Sequence, residues 1–160
     1  MRNEIQQDVR LNDKGIDVCG LGGLRSSNLG SELLLVASQY DYIVIMLGNN
    51  DVAPFYNRPV LDSNECVENL LTFANVLINR GKEVFVIGLM NRPDVDLLTV
   101  MLVNDALCKE LGNRYVPNKV LLNRHFIVRN DGTKDVHLND LGRKTVRAMI
   151  YNLLSTRCGF

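Results

Sequence analysis

Tyr42-Ile43-Val44-Ile45-Met46-Leu47 runs directly into Gly48-Asn49-Asn50-Asp51, and this stretch decides the fold. An uninterrupted apolar run rich in β-branched residues is the pattern of a strand covered on both faces, as in a parallel sheet. Gly48 permits a sharp exit from the strand. Asn50 then carries an amide donor to the carboxyl edge of the sheet, where open α/β sheets bind ligands. A second stretch, Asp135-Val136-His137-Leu138-Asn139, stands just before the last helical run of the chain.

Outward from residues 42–47, strand-like and helix-like segments alternate. Residues 83–89, Glu-Val-Phe-Val-Ile-Gly-Leu, form a second buried strand. Residues 16–19 and 114–116 are short strand candidates, and the first of these runs into the glycine-rich loop Gly20-Leu21-Gly22-Gly23. Residues 4–11 have the pattern of the end of a helix. A helix is predicted over 28–39, with Gly30 weakening its first turn. Asp62 and Glu65 are placed to cap a helix whose buried stripe is Cys66, Leu70, Ala74 and Leu77. Pro93-Asp94 opens a helix that Gly112 stops, and a terminal helix carries Leu138, Leu141, Val146, Met149, Ile150, Leu153 and Leu154, with Gly159 just past its end. This alternation predicts an α/β protein: a three-layer α/β/α sandwich around a small, mostly parallel sheet of about four strands.

At 160 residues the chain is expected to be one domain, 1–160. Lys+Arg and Asp+Glu both number 18, so net charge directs the chain to neither nucleic acid nor acidic partners. Aromatic content of 6% also argues against a dedicated nucleic-acid binder. No apolar stretch is long enough to span a membrane, and residues 1–5 have no signal-peptide core. Cys19, Cys66, Cys108 and Cys158 lack metal-type spacing and read as reduced thiols of a cytoplasmic protein, with Cys66 and Cys108 on apolar helix faces. No metal or cofactor is expected.

In their order and context these motifs resemble the SGNH hydrolases, the GDSL esterase and lipase superfamily. Gly48-Asn49-Asn50-Asp51 matches that family's Gly-x-Asn-Asp block. Gly20-Leu21-Gly22-Gly23 is similar to its glycine block, and Asp135-Val136-His137-Leu138-Asn139 with Gly142 to its C-terminal histidine block. The esterase-like domains of some LINE-type retroelements are a further similarity. The resemblance implies a flavodoxin-like fold and ester hydrolysis by acyl transfer to serine. His137 would be the general base, and the Asn50 amide and the Gly23 N–H would hold the oxyanion.

Two parts of the family's pattern are not in place. No Gly-Asp-Ser occurs, so the nucleophile block and the first strand are expected to be missing from this N-terminally incomplete chain. Ser26 and Ser27 are expected to cap the following helix instead of serving as nucleophile. The family's acid stands three residues before the histidine, where this chain has Lys134. Neither Asp135 nor Asp131 is therefore expected to reach His137. His125 has no motif around it and reads as an exposed loop residue.

The sequence-level conclusion is an esterase-type domain, inactive or incomplete. The alternative is a non-catalytic module for a small carboxylate or ester ligand, or for a protein or nucleic-acid partner. An uncovered sheet edge would invite self-association.

Overall fold

A computed structural model describes residues 15–20, 23–54 and 58–160. The helix expected over residues 4–11 and Gly22 of the glycine loop lie outside them. In chain order come helix α1 (Ser31–Ala37), strand β1 (Tyr42–Ile45), the one-turn helix α2 (Asn49–Val52), α3 (Ser63–Asn79), β2 (Glu83–Ile87), α4 (Leu97–Leu111), β3 (Tyr115–Val116), β4 (Phe126–Val128), β5 (Lys134–Leu138) and α5 (Asp140–Cys158).

Strands β1, β2 and β3 form a parallel sheet in that order, with Ile43 opposite Val84 and Val86 opposite Tyr115. Successive side chains of a strand point to opposite faces. Ile45, Val84 and Val86 accordingly pack with Leu70, Leu77, Val103 and Leu107 of α3 and α4. Val44, Met46 and Ile87 pack with Val146 and Met149 of α5. The result is the expected three-layer α/β/α arrangement. The stripe Cys66, Leu70, Ala74, Leu77 is fully buried, and the Asp62 carboxylate caps its helix by accepting the Asn64 N–H at 3.0 Å.

The differences from the sequence reading each have a local cause. Residues 16–19 form no strand, so the described sheet has three strands, not four. Helix α1 is shorter than predicted because Gly30 stands outside it as the N-cap. Helix α4 starts at Leu97, not at Pro93: the Asp94 carboxylate is taken by Arg92, and Asp96 supplies the cap to Thr99. Cys108 is exposed, not on the buried face of its helix, and all four cysteines are free thiols.

Strand β1 is less buried than expected. Tyr42 is exposed and Ile43 and Val44 are half-buried, whereas Val84 to Ile87 of β2 are all buried. β2 has a neighbour on each side, but among the described residues β1 pairs with β2 alone.

The antiparallel β4–β5 hairpin was not foreseen, and Leu138, expected in the terminal helix, is instead the last residue of β5, since Asn139 caps the helix after it. The hairpin's signal is Asp131-Gly132 between two apolar-alternating runs, a strong hairpin pattern. Gly132 adopts φ 85 at the turn, and the Arg129 N–H bonds the Thr133 carbonyl at 2.7 Å. Asn139 ties this hairpin to α5: its side chain accepts the Gly142 N–H at 2.8 Å and donates to the Arg124 carbonyl at 2.8 Å. Gly142 is needed for the close approach, since a Cβ there would lie 2.3 Å from the His125 carbonyl oxygen.

Candidate active site

Gly48 turns the chain at φ 126, and a Cβ at that position would meet Leu89 at 2.8 Å. Immediately after it, Asn49 locks onto the main chain beyond β2. Its amide donates to the Met90 carbonyl at 2.7 Å and accepts the Met90 N–H at 2.9 Å. Asn50 is thereby held at the carboxyl edge of the sheet, as expected.

The Asn50 side chain is oriented from both ends. Its oxygen accepts from Arg92 Nη1 at 3.0 Å, and Arg92 is itself paired with Asp94 through two bonds. Its nitrogen donates to the Leu24 carbonyl at 3.1 Å. An amide nitrogen carries two hydrogens, so one N–H of Asn50 remains for an incoming oxygen. Leu24 follows Gly23, so this bond brings the glycine loop to the strand end. Gly23 has φ 72, and its carbonyl accepts from Arg58 at 3.0 Å. Arg25, 6% exposed, donates from Nε to the Asn50 carbonyl at 3.1 Å, while its Nη2 is buried without an acceptor. The sequence reading missed these arginines, because nothing in their spacing distinguishes a guanidinium that steadies a loop from a solvated one.

Ser26 does not cap a helix. It is buried, and both its N–H (2.8 Å) and its hydroxyl are donated to Asp51, which has no exposed surface. Asn69 donates to the Ser26 oxygen at 3.1 Å. A hydroxyl so engaged is a structural group, in keeping with the sequence reading that it is no nucleophile. Burial, followed by the charge of Asp51, pushes the Cys66 thiol pKa well up. That thiol is an inert part of the core. Ser27 is exposed.

The expectation that no carboxylate reaches His137 is overturned. Asp135 Oδ1 lies 2.5 Å from His137 Nδ1 and also accepts the His137 backbone N–H at 2.9 Å. The reason is the backbone. Residues 134–138 are a strand, and on a strand residues two apart share a face, so Asp135 and not the residue at 134 stands beside the imidazole. That backbone N–H and then the ring hold the Asp135 carboxyl below the usual carboxylate range. A carboxylate at Nδ1 favours the tautomer that carries its proton on that nitrogen. Asp131 lies on the exposed hairpin loop, where its carboxylate caps Thr133 at 2.9 and 2.6 Å. His125 is also not as expected. It is 5% exposed, with Nδ1 accepting the Leu121 N–H at 2.6 Å. Burial and then Arg124 lower its pKa.

The site residues thus form two halves, Gly23 with Asn50 and Asp135 with His137, which the bonds described do not link. Asn50, Arg92 and Leu138 line one groove of about 590 Å³. His137, the residue before Leu138, faces the opposite side of β5.

No family model and no curated protein matches this sequence. Solved structures do match. One is a Bacteroides fragilis protein described as an acylhydrolase, with TM-score 0.71, 13% identity, and coverage of 95% of this chain and 80% of that one. Another is a GDSL-like lipase from Bacteroides thetaiotaomicron, with TM-score 0.71, 18% identity, and coverage of 95% and 81%. About a fifth of each of those chains has no counterpart here. The fold is therefore that of the SGNH or GDSL-like hydrolases.

Proposed function

We propose that this chain is an SGNH-type esterase domain whose ligand is a small ester or carboxylate. In this reading a serine hydroxyl gives its proton to His137 Nε2 while its oxygen attacks the ester carbonyl. The oxyanion donors in this reading are the second N–H of Asn50 and the N–H of Gly23, but His137 faces the side of β5 away from the groove that Asn50 lines, so turnover requires the hairpin to bring His137 round to Asn50. Collapse expels the alcohol, which takes the proton from His137, and water then repeats the sequence to release the acid. Asp135 holds the ring and balances its charge. One oxyanion donor of this kind contributes about 10²–10³ in rate. The observation that carries the reading is the Asp135–His137 contact at 2.5 Å on this fold.

In this reading the nucleophile is the missing part, since no Gly-Asp-Ser occurs in the sequence. Ser26 is consumed by Asp51, so the chain alone hydrolyses activated esters weakly or not at all. That same observation favours the second reading, a module that binds an ester or carboxylate without turning it over. The four free thiols support a cytoplasmic setting.

The test is turnover of 4-nitrophenyl acetate by the purified chain beside His137→Ala, with alkylphosphonate binding followed at the Asn50 side-chain amide. The expected result is equal, near-background rates and a phosphonate shift that Asn50→Ala abolishes. Robust turnover lost in His137→Ala but kept in Ser26→Ala and Ser27→Ala would show that a different hydroxyl serves. No phosphonate shift would remove the oxyanion role of Asn50.

A further inference from the structure

Two adjacent residues, Asn49 and Asn50, reach the same short segment beyond β2 and hold it differently. Asn49 takes its main chain, through both hydrogen bonds to Met90. Asn50 meets a side chain of it: Arg92 Nη1 donates to Asn50 Oδ1 at 3.0 Å, across 42 positions of sequence. The other edge of the same guanidinium is a fork on Asp94, with Nε to Oδ1 at 2.6 Å and Nη2 to Oδ2 at 3.0 Å. The Arg92 side chain is only 12% exposed, so its plane is set by the protein and not by solvent. An arginine that only stapled this segment would need the fork alone, because Asn49 already secures Met90. The bond to Asn50 adds little to that hold. It ends instead on the one side chain of the site whose orientation decides what the site can bind.

We propose that Arg92 is a positioning residue of this site: it fixes which end of the Asn50 amide is left for a ligand, and its charge strengthens the Asn50 N–H as a donor to an anionic oxygen. The second half of this deepens the esterase reading and rests on it. The oxygen and nitrogen of a carboxamide are nearly the same size, and turning the group over exchanges an acceptor for two donors. A guanidinium only donates and a main-chain carbonyl only accepts. With Arg92 at one end of the amide and the Leu24 carbonyl at the other, a single orientation satisfies both, and it leaves the spare hydrogen on the nitrogen. A positive charge at the amide oxygen also draws electron density along the conjugated O–C–N unit, which makes the N–H more positive. Hydrogen bonds in series strengthen one another in this way. Oxyanion donors are effective because they are oriented and polarised before charge develops. Each nitrogen of the guanidinium is engaged, Nε and Nη2 by Asp94 and Nη1 by Asn50, so the charge of Arg92 reaches a ligand through the amide.

The probe is the monoanion of methyl butylphosphonate, with butyl acetate as its uncharged counterpart. Both are titrated into the isotope-labelled chain and its Arg92→Met and Arg92→Lys variants while the Asn50 carboxamide is followed by NMR. In the free native chain the Asn50 Nδ2 resonance is expected downfield of an exposed asparagine, with its two hydrogens exchanging at different rates. Arg92→Met is expected to move Nδ2 upfield and to weaken phosphonate binding about tenfold, as loss of a charged hydrogen-bond partner does, while leaving butyl acetate within about twofold of native. An ammonium has donors for both Asp94 and Asn50, so Arg92→Lys is expected to restore the Nδ2 position and the phosphonate affinity to within about threefold. Protection of the Met90 amide is the folding control and should be the same in all three chains. An unmoved Nδ2 in Arg92→Met, equal weakening of phosphonate and butyl acetate, or no recovery in Arg92→Lys would each overturn the proposal. So would loss of Met90 protection together with the Asn50 change, which would make Arg92 a staple of the loop. If Arg92→Met does not fold, Arg92→Gln serves: it donates to Oδ1 without charge, so it should keep the amide orientation and still lose phosphonate affinity, and unchanged affinity would overturn the role of the charge. The free-chain signals need no ligand. A native Asn50 that ignores phosphonate would therefore sink the oxyanion role, while the orientation of the amide by Arg92 stands or falls on its own.

Discussion

Asp51 shows how little of a residue's role its motif discloses. The family resemblance drew attention to Asn50, but the neighbouring aspartate is the residue with no exposed surface, and it holds Ser26 by both N–H and hydroxyl. Hydrogen bonds to a charged group contribute about 1.5–3 kcal/mol each. Asp51→Ala is expected to lower unfolding free energy by about 3 kcal/mol in urea titration, and a loss under about 1 kcal/mol would show that the carboxylate is solvated. His125 makes a pH-dependent contribution. Its Nδ1 must be unprotonated to accept from Leu121, and its pKa lies below the ordinary 6.5. The unfolded chain therefore binds the proton more readily, so this stability is complete above 6.5 and is lost as pH falls below it. Urea midpoints measured across that range should drop on acidification in the native chain, and less in His125→Gln. At this scale the places of Asn50 at a strand end and of His137 just before the last helix were legible because short motifs name residue types, but whether the two face one cleft was not. The Asp135 contact was not, because which carboxylate meets a ring depends on whether the backbone between them is strand or loop.

At the scale of elements, close backbone approach carries the junction between the hairpin and the terminal helix. Gly142 is half of that junction, with its missing Cβ facing the His125 carbonyl. Ordinarily Gly→Ala in a helix gains about 0.5–1 kcal/mol. Here the clash at 2.3 Å reverses the sign, and Gly142→Ala is expected to destabilise by about 1–3 kcal/mol, as overpacked cores do. A stabilised Gly142→Ala in thermal unfolding would refute this packing. The long helices α3 and α5 and strand β2 were readable because a sustained apolar period fixes an element wherever it later docks. The hairpin, the late start of α4 and the short α1 were not, since each turns on one side chain or one glycine choosing among partners.

For the molecule as a whole, the core is lopsided. Leu70 sits at 0% exposure between α3, α4 and the sheet, while Val36 sits over the groove beside β1 at 45%. Truncation should report this directly in urea unfolding. Leu70→Ala is expected to cost about 2–5 kcal/mol, and Val36→Ala no more than about 0.5 kcal/mol, as at a surface position. A large loss at Val36 would mean that the groove is closed in solution. The chain by itself determined the α/β class, the order of its main elements, the strand that ends at Asn50 and the histidine block, because each rests on a local pattern of apolar and turn-forming residues. Only the tertiary structure decided that, among the described residues, β1 pairs with β2 alone, that Asp135 reaches His137 and that Ser26 is spent on Asp51. These depend on which main-chain and carboxylate groups find partners across distant segments, and a hydrogen bond between residues far apart in sequence leaves no periodic trace along the chain.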